Sequence, residues 1–190
     1  WVTHGGLKKL DMRLLLRPTS EVPLYRMFSL WIRSHTDLPL KVYQTCTIFR
    51  CETRATKPLI RIREIPWNEA HTAHSSREEA QLQIRNAWNY YLELIQDHLG
   101  ITGLALTRPV WDKFPGAEYT TVMDALMPDG RVLQIAGIHN LGQNFSRIFN
   151  ITFEDASGKN RYVYQTCYGV STRLLAATLS IHGDNHGLII

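Results

Sequence analysis

The sequence predicts an α+β fold: a mostly antiparallel β-sheet flanked by helices. Three observations carry that prediction. Residues 38–50 and 61–74 are two long strand-like runs that can pair as a hairpin. Residues 119–127 and 131–139 flank Asp129-Gly130, a strong hairpin turn. Runs with helical spacing and recognisable starts and stops lie between the strands.

Taken in order, residues 13–17 (RLLLR) read as a short strand. Pro18-Thr19-Ser20-Glu21 then opens a helix through about residue 35, with Leu24, Met27, Phe28 and Trp31 at helical spacing. After the first hairpin, Ser76-Arg77-Glu78-Glu79 forms a capping box. Its helix carries Ala80, Ile84, Ala87, Trp88, Tyr91, Leu92 and Ile95 on one stripe and stops at Gly100. Residues 143–150 form a short helical candidate. Residues 151–154 and 161–168 flank a turn at Ser157-Gly158-Lys159-Asn160. A final helix over 171–182, with Leu174, Leu175, Thr178 and Ile181 apolar or semi-apolar, ends at Gly183. With no repeat, low-complexity tract or linker, residues 1–190 read as one domain.

Composition narrows the function classes. The 190 residues are 44% hydrophobic and 20% charged, as in ordinary globular proteins. No apolar run reaches the ~20 residues that span a bilayer. A net charge of +4 permits a polyanionic partner without demanding one. Cys46, Cys51 and Cys167 form no CxxC pair, which suits reduced thiols in a cytoplasmic protein. A start at Trp1 and an end in the apolar run Leu188-Ile189-Ile190 are expected of a piece of a longer protein.

The chemistry concentrates around the first hairpin. Phe49-Arg50-Cys51-Glu52 and Arg61-Ile62-Arg63-Glu64-Ile65-Pro66-Trp67 are separated by a polar excursion over residues 53–60. Strand alternation puts Arg61, Arg63, Ile65, Trp67, Glu69 and His71 on one face, and Arg50 and Glu52 on one face of the partner strand. Guanidiniums beside an indole, a carboxylate and an imidazole suit a polyphosphate joined to an aromatic base. A solvated, salt-bridged hairpin is the plainer reading of the same charges. Thr19-Ser20-Glu21 reads as a helix start, and its hydroxyl and carboxylate can also grip an ammonium group.

Other motifs exclude more than they assign. His71 and His74 point to opposite faces of a strand, so no metal pair is expected there. Asp112-Lys113-Phe114-Pro115-Gly116 reads as a loop turn. No GxGxxG, P-loop or GxSxG sequence occurs. Gln134 and His139 fall on opposite faces unless a bulge intervenes, for which Gly137 is the expected place. Arg173 opens the last helix against its dipole, so an anion or a carboxylate should compensate it.

Together these residues resemble the catalytic core of class II aminoacyl-tRNA synthetases, in particular the prolyl-tRNA synthetase family of the archaeal and eukaryotic type. Arg17-Pro18-Thr19-Ser20-Glu21 is similar to that family's proline-binding loop. Phe49 to Glu52 with Arg61 to Glu64 resembles its motif 2, and Trp67-Asn68-Glu69-Ala70-His71 the segment that follows. His139-Asn140-Leu141-Gly142-Gln143-Asn144 and Gly169-Val170-Ser171-Thr172-Arg173 resemble the later pocket and motif 3.

The resemblance implies a class II synthetase-like antiparallel sheet and activation of L-proline with ATP and Mg²⁺, followed by transfer to the acceptor end of tRNA(Pro). It implies proline binding by Thr19, Glu21, Arg50, Trp67, His71, His139 and Ser171. ATP would meet Arg50, Glu52, Arg61, Gln134 and Arg173, with Arg50 and Arg173 at the reacting centre and Arg173 also stacked on adenine. It leaves Arg63 without a role. A homodimer is expected of the full-length protein, and no membrane partner. Motif 1, the anticodon-binding domain and the C-terminal zinc domain are expected outside this sequence. No room remains between Glu64 and Ser171 for a large editing insertion. Gly137 stands where the family usually has a threonine that contacts ATP, and Ile65 where some members have a phenylalanine under the adenine. Two other readings stay open: a synthetase for another small amino acid such as threonine, and a non-catalytic paralogue that binds nucleotide, amino acid or tRNA.

Overall fold

The computed structural model describes residues 1–53 and 55–190; Arg54, in the polar excursion, lies outside the described residues. β1 (Val2–Gly5) and β2 (Lys8–Leu14) form an N-terminal hairpin. The strand expected over residues 13–17 is only the end of β2, because pairing with β1 stops at Leu14. α1 spans Glu21–Trp31 and is shorter than expected. The Asp37 carboxylate accepts from the backbone N–H of Arg33 at 2.8 Å and of Ser34 at 2.9 Å, which turns the chain into a separate 3₁₀ turn at His35–Asp37. Tyr25 and Phe28 form the buried face of α1, with Ile32 buried just beyond it, while Met27 and Trp31 stay exposed.

β3 (Leu40–Phe49) pairs antiparallel with β4 (Glu64–His74), from Leu40↔Ala73 to Phe49↔Glu64. The return strand starts three residues later than expected, so Arg61 and Arg63 belong to the connecting loop. α2 (Arg77–Leu92) keeps half of the expected capping box: the Glu79 N–H donates to Ser76 Oγ at 3.2 Å. The reciprocal contact moves back one residue, where the N–H and hydroxyl of Ser75 donate to the Glu79 carboxylate at 3.0 and 2.9 Å. A π-helical turn, Glu93–His98, carries the helix on towards Gly100.

β5 (Gly103–Thr107) has no counterpart in the expected elements. β6 (Tyr119–Leu126) and β7 (Val132–Gly142) form the hairpin around Asp129-Gly130, with Gly130 at a φ of +78°. α3 (Asn144–Phe149), β8 (Thr152–Glu154) and β9 (Asn160–Tyr162) follow. The strand expected over 161–168 divides at buried Val163, after which β10 (Tyr164–Ser171) enters the main sheet. α4 (Thr172–His182) buries Leu174, Ala176 and Ala177, while Leu175 faces outward.

The main sheet has six strands in the order β3-β4-β10-β7-β6-β5, with every neighbouring pair antiparallel. One face is closed by α2, its π-helical continuation and α4, whose Ile84, Ala87, Ile95, Leu174 and Ala177 join Met123, Ala136 and Ile138 in one core. On the other face, Tyr25 and Phe28 of α1 and Phe145 of α3 pack around Ala73, Leu141 and Cys167. The register pairs Cys167 with both His71 and His139, and Gly169 with Glu69 and Gly137, so these side chains share that second face. The α1–α3 core covers only part of it, and the remainder forms the floor of a cleft.

Candidate active site

The cleft holds two adjoining cavities. The first, with a volume of about 140 Å³, is lined by Thr19, Glu21, Arg50, Trp67, His71, Gln134, His139, Ser171 and Arg173, among others. The second, of about 100 Å³, is lined by Glu52, Ile60, Arg61 and Ile65 and shares Arg50, Trp67, Ser171 and Arg173 with the first. Every residue that the sequence nominated for a site therefore borders one or both of them.

Backbone geometry explains how distant residues meet. Thr19 precedes α1, and its hydroxyl donates to the Glu21 carboxylate on the first turn. Trp67, Glu69 and His71 alternate along β4, and Cys167, Gly169 and Ser171 along β10. Gln134 and His139 do share a face, because β7 contains a bulge. It lies at Ile135 rather than at Gly137: Met123 faces Ala136 while Asp124 faces Gln134, leaving Ile135 as the extra residue. Ile135 and Ala136 both turn into the α2–α4 core, which returns Gln134 to the cleft side.

The first cavity has a hydrogen-bonded floor. Tyr25 OH lies 3.1 Å from His71 Nδ1, and His71 Nε2 lies 2.9 Å from Glu69 Oε2. Gln44 donates to Glu69 Oε1 at 2.6 Å from the neighbouring strand. Burial raises the Glu69 pKa, but its hydrogen bond from His71, with further contacts, leaves it below the usual carboxylate range. Burial, Glu21 and Glu69 push the Cys167 thiol well up, so it stays protonated, and its sulfur lies 3.8 Å from Glu21 Oε1. Ligand-type atoms of Glu21, His71 and Cys167 come within 4.8 Å of one another. Both nitrogens of His71 are already engaged, so the triad is a polar floor rather than a metal centre. His139 forms a wall, with Thr120 Oγ1 2.9 Å from its Nδ1 and the Phe114 ring 4.8 Å from its own. Burial, with His71 nearby, lowers its pKa to about 4, so the imidazole is neutral at pH 7.

The second cavity is cationic. Burial, then Arg50 and Arg61, lower the Arg173 pKa, and Glu52 only partly compensates. Guanidiniums crowded this closely call for an anion. Arg173 Nε donates to the Ile60 carbonyl at 2.9 Å and Thr172 to that of Leu59 at 3.0 Å, pinning the β3–β4 loop to the start of α4. Arg50 lies over the Trp67 ring at 5.9 Å, where the two cavities join. Arg63 borders neither cavity; its Nε donates to the backbone carbonyl of Glu52 at 3.3 Å and braces the turn that presents Glu52.

Glu69, Cys167, Tyr25 and Phe114 were not among the nominated site residues. Glu69 carried a legible signal, since it alternates with Trp67 and His71. Tyr25 lies one helical turn after Glu21, on the same side of α1. Phe114 offered none, because it reaches His139 from an irregular loop.

Residues 3–182 match the family model of the tRNA synthetase class II core domain (G, H, P, S and T). The chain is 58% identical to a proline–tRNA ligase of Methanopyrus kandleri over its full length, which is 39% of that relative. It is 56% identical to a proline–tRNA ligase of Methanocaldococcus jannaschii, covering 42% of it. The chain thus spans about two fifths of the length of these curated relatives. The structure of Giardia lamblia prolyl-tRNA synthetase in complex with prolyl-adenylate superposes with a TM-score of 0.96, at 55% identity, over all of this chain and 38% of that one. Prolyl-tRNA synthetase from Cryptosporidium parvum, complexed with L-proline and AMP, gives a TM-score of 0.90 at 42% identity, over 96% of this chain and 38% of that one.

Proposed function

The chain belongs to the tRNA synthetase class II core domain family, and on that premise we propose that it activates L-proline with ATP and transfers it to tRNA(Pro). The observation that carries the reading is a cleft with two chemically opposite ends. Glu21 and Glu69 line the first cavity only, Arg61 lines the second only, and Arg50 and Arg173 stand at the junction of the two. A small amino acid with a cationic nitrogen and a nucleotide with anionic phosphates fit such a cleft in only one order.

In this reading the proline nitrogen donates to Thr19 and Glu21, beside ionised Glu69. Trp67, His71, His139 and Phe114 enclose the ring, with Ser171 at the edge. Neutral His139 adds no charge to repel the ammonium. The adenine amino group donates to Glu52, Arg173 stacks on the base, and Arg61 holds the outgoing phosphates. Gln134 donates to the ribose or the phosphates. Arg50 bridges the proline carboxylate and the α-phosphate, so that the attacking oxygen and the phosphorus are held in line. The carboxylate is ionised at neutral pH and needs no general base. Its oxygen bonds to the α-phosphorus as the bond to the pyrophosphate oxygen breaks, and the arginines offset the developing charge. A terminal ribose hydroxyl of tRNA then attacks the carbonyl of the adenylate and releases AMP.

Glu52 is the one carboxylate among the described residues lining the phosphate cavity. With that carboxylate turned to the adenine amino group, a Mg²⁺ there would be held by phosphate oxygens and water and would supply further charge neutralisation. No helix among the described residues is long and apolar enough to cross a membrane. With Cys46, Cys51 and Cys167 all free, a reducing cytoplasmic setting is the proposal. Homodimerisation through surfaces beyond the cleft completes it.

Proline-dependent ATP–pyrophosphate exchange, run beside threonine, alanine and cysteine, tests the reading. Exchange with proline is expected; exchange only with threonine would reassign the substrate, and none with any amino acid would sink the enzymatic reading. Arg50→Ala is expected to lower exchange by at least ~100-fold, since a charge-assisted contact to the reacting group is lost. Near-normal exchange would remove Arg50 from the reacting centre.

A further inference from the structure

Arg108 follows β5 and lies outside the residues lining either cavity, yet its guanidinium reaches the back of one that does. Arg108 Nη2 donates to Asp124 Oδ1 at 2.9 Å and to Gln134 Oε1 at 3.3 Å. Asp124 and Gln134 are partners across β6 and β7 at the edge of the Ile135 bulge. Asp124 is buried and anchors the guanidinium, and Asp112 approaches Arg108 Nε at 3.6 Å from the other side.

A primary amide is nearly symmetric in shape, so a cleft-lining glutamine could present either its oxygen or its NH₂ group to a ligand. A guanidinium carries donors only and no acceptor, which removes that freedom. The Gln134 oxygen must face Arg108, and Nε2 must face away. On that side lies Gly137, where an added Cβ would sit 3.3 Å from Gln134 Nε2 and 3.4 Å from His139 Nε2. The missing side chain leaves the path from the amide into the cleft open.

We propose that Arg108 is a positioning residue: it locks Gln134 into a single orientation in which the amide offers two N–H donors to an acceptor oxygen of the bound substrate. The inference rests on the adenylation reading for the identity of that substrate. It follows that the site selects an oxygen with free lone pairs at this point, a phosphate or ribose oxygen of ATP or the carboxylate of the amino acid, and rejects a donor.

Arg108→Lys keeps a positive charge for buried Asp124, but its ammonium sits one bond nearer the backbone than the Nη2 that serves both partners and falls short of Gln134. Gln134→Met keeps the length of the side chain and removes both amide functions. In pyrophosphate exchange on the full chain, each change is expected to raise the same KM by roughly 3–10-fold, the worth of one hydrogen bond. The double variant should match Gln134→Met alone. A rise in the KM for ATP assigns the acceptor to the nucleotide, and a rise in that for proline assigns it to the amino-acid carboxylate. A purely structural Arg108 would instead lower the melting temperature and leave both KM values unchanged, or add its full effect on top of Gln134→Met; either result overturns the proposal. A second measurement needs no activity: the side-chain amide resonance of Gln134 should be well ordered and lose its order in Arg108→Lys. An unaltered chain that shows no exchange removes the adenylation reading alone, and the amide resonance then decides this inference, with unchanged order overturning it.

Discussion

Tyr25 shows how much of the cleft depends on single atoms behind it. Its ring packs edge-on against His71, Phe145 and Phe149, with centroids 5.5, 5.4 and 6.1 Å away. Its hydroxyl is the group within hydrogen-bond reach of His71 Nδ1, and it is fully buried. Tyr25→Phe keeps the packing and deletes only that oxygen. A buried polar group left without its partner costs about 1–3 kcal/mol, so urea unfolding should show a loss of that size. The larger interest lies in His71, which would then be held only through Glu69. The KM for proline should rise several-fold while that for ATP stays put, because His71 lines the first cavity and not the second. Equal rises in both would mean that the whole sheet had moved.

Elements place these residues, and they differ in how plainly the sequence announces them. α2 was legible because its cap, Ser76, and its stripe from Ala80 to Ile95 depend on local spacing alone. The β6–β7 hairpin was legible because Asp129-Gly130 encodes its own turn, with the Gly130 N–H donating to the Met127 carbonyl at 2.9 Å. β5 was not, since Leu104 and Leu106 are exposed on an edge strand that exists only through its pairing with β6. The bulge at Ile135 was misplaced for a similar reason. Nothing local marks it, and it is set by burial of both Ile135 and Ala136 under α2 and α4. Trp67 and His71 stood out by alternating on β4, and the other nominated residues by the motifs they stand in, whereas Phe114 and Arg108 act from segments with neither signal. Gly169 tests the element scale directly. A Cβ there would lie 2.8 Å from the backbone oxygen of Asn68 on β4, with no flexible side chain to yield. Gly169→Ala should therefore push β10 from β4 at the cleft floor and cost about 1–3 kcal/mol. At ~2–4 °C per kcal/mol for a chain of this size, the melting temperature should fall by roughly 2–12 °C. An unchanged melting temperature would show that the two strands lie further apart here.

For the molecule as a whole, the sheet is covered on one face by α2 and α4 and only partly on the other, and its polar interior carries a pH signature. His74 is buried beside Thr72, its hydroxyl 2.8 Å from Nε2. Burial lowers its pKa to about 4, with Lys41 adding to the effect and Glu79 opposing it. His139 reaches about 4 through burial and then His71. In the unfolded chain both histidines titrate near 6.5. Between pH 6.5 and 4 the unfolded state therefore binds more protons than the folded one, and stability rises with pH in that window. The contribution is fully present above about pH 6.5 and is lost as the pH falls towards 4. At about 1.4 kcal/mol per pKa unit, each histidine can remove up to ~3 kcal/mol, a large share of the ~5–15 kcal/mol that holds a typical domain together. Glu69, whose pKa is lowered, acts in the same direction but only at more acidic pH. The interval from pH 6.5 to 5 thus isolates the histidines. Urea unfolding across it should show a midpoint that falls steadily with acidification, and His74→Gln should flatten roughly half of that slope while leaving proline binding in the cleft intact. A flat profile in the unaltered chain would mean that these imidazoles titrate alike in the folded and unfolded states, and would put a positive charge on the wall of the proposed proline pocket below about pH 6.5.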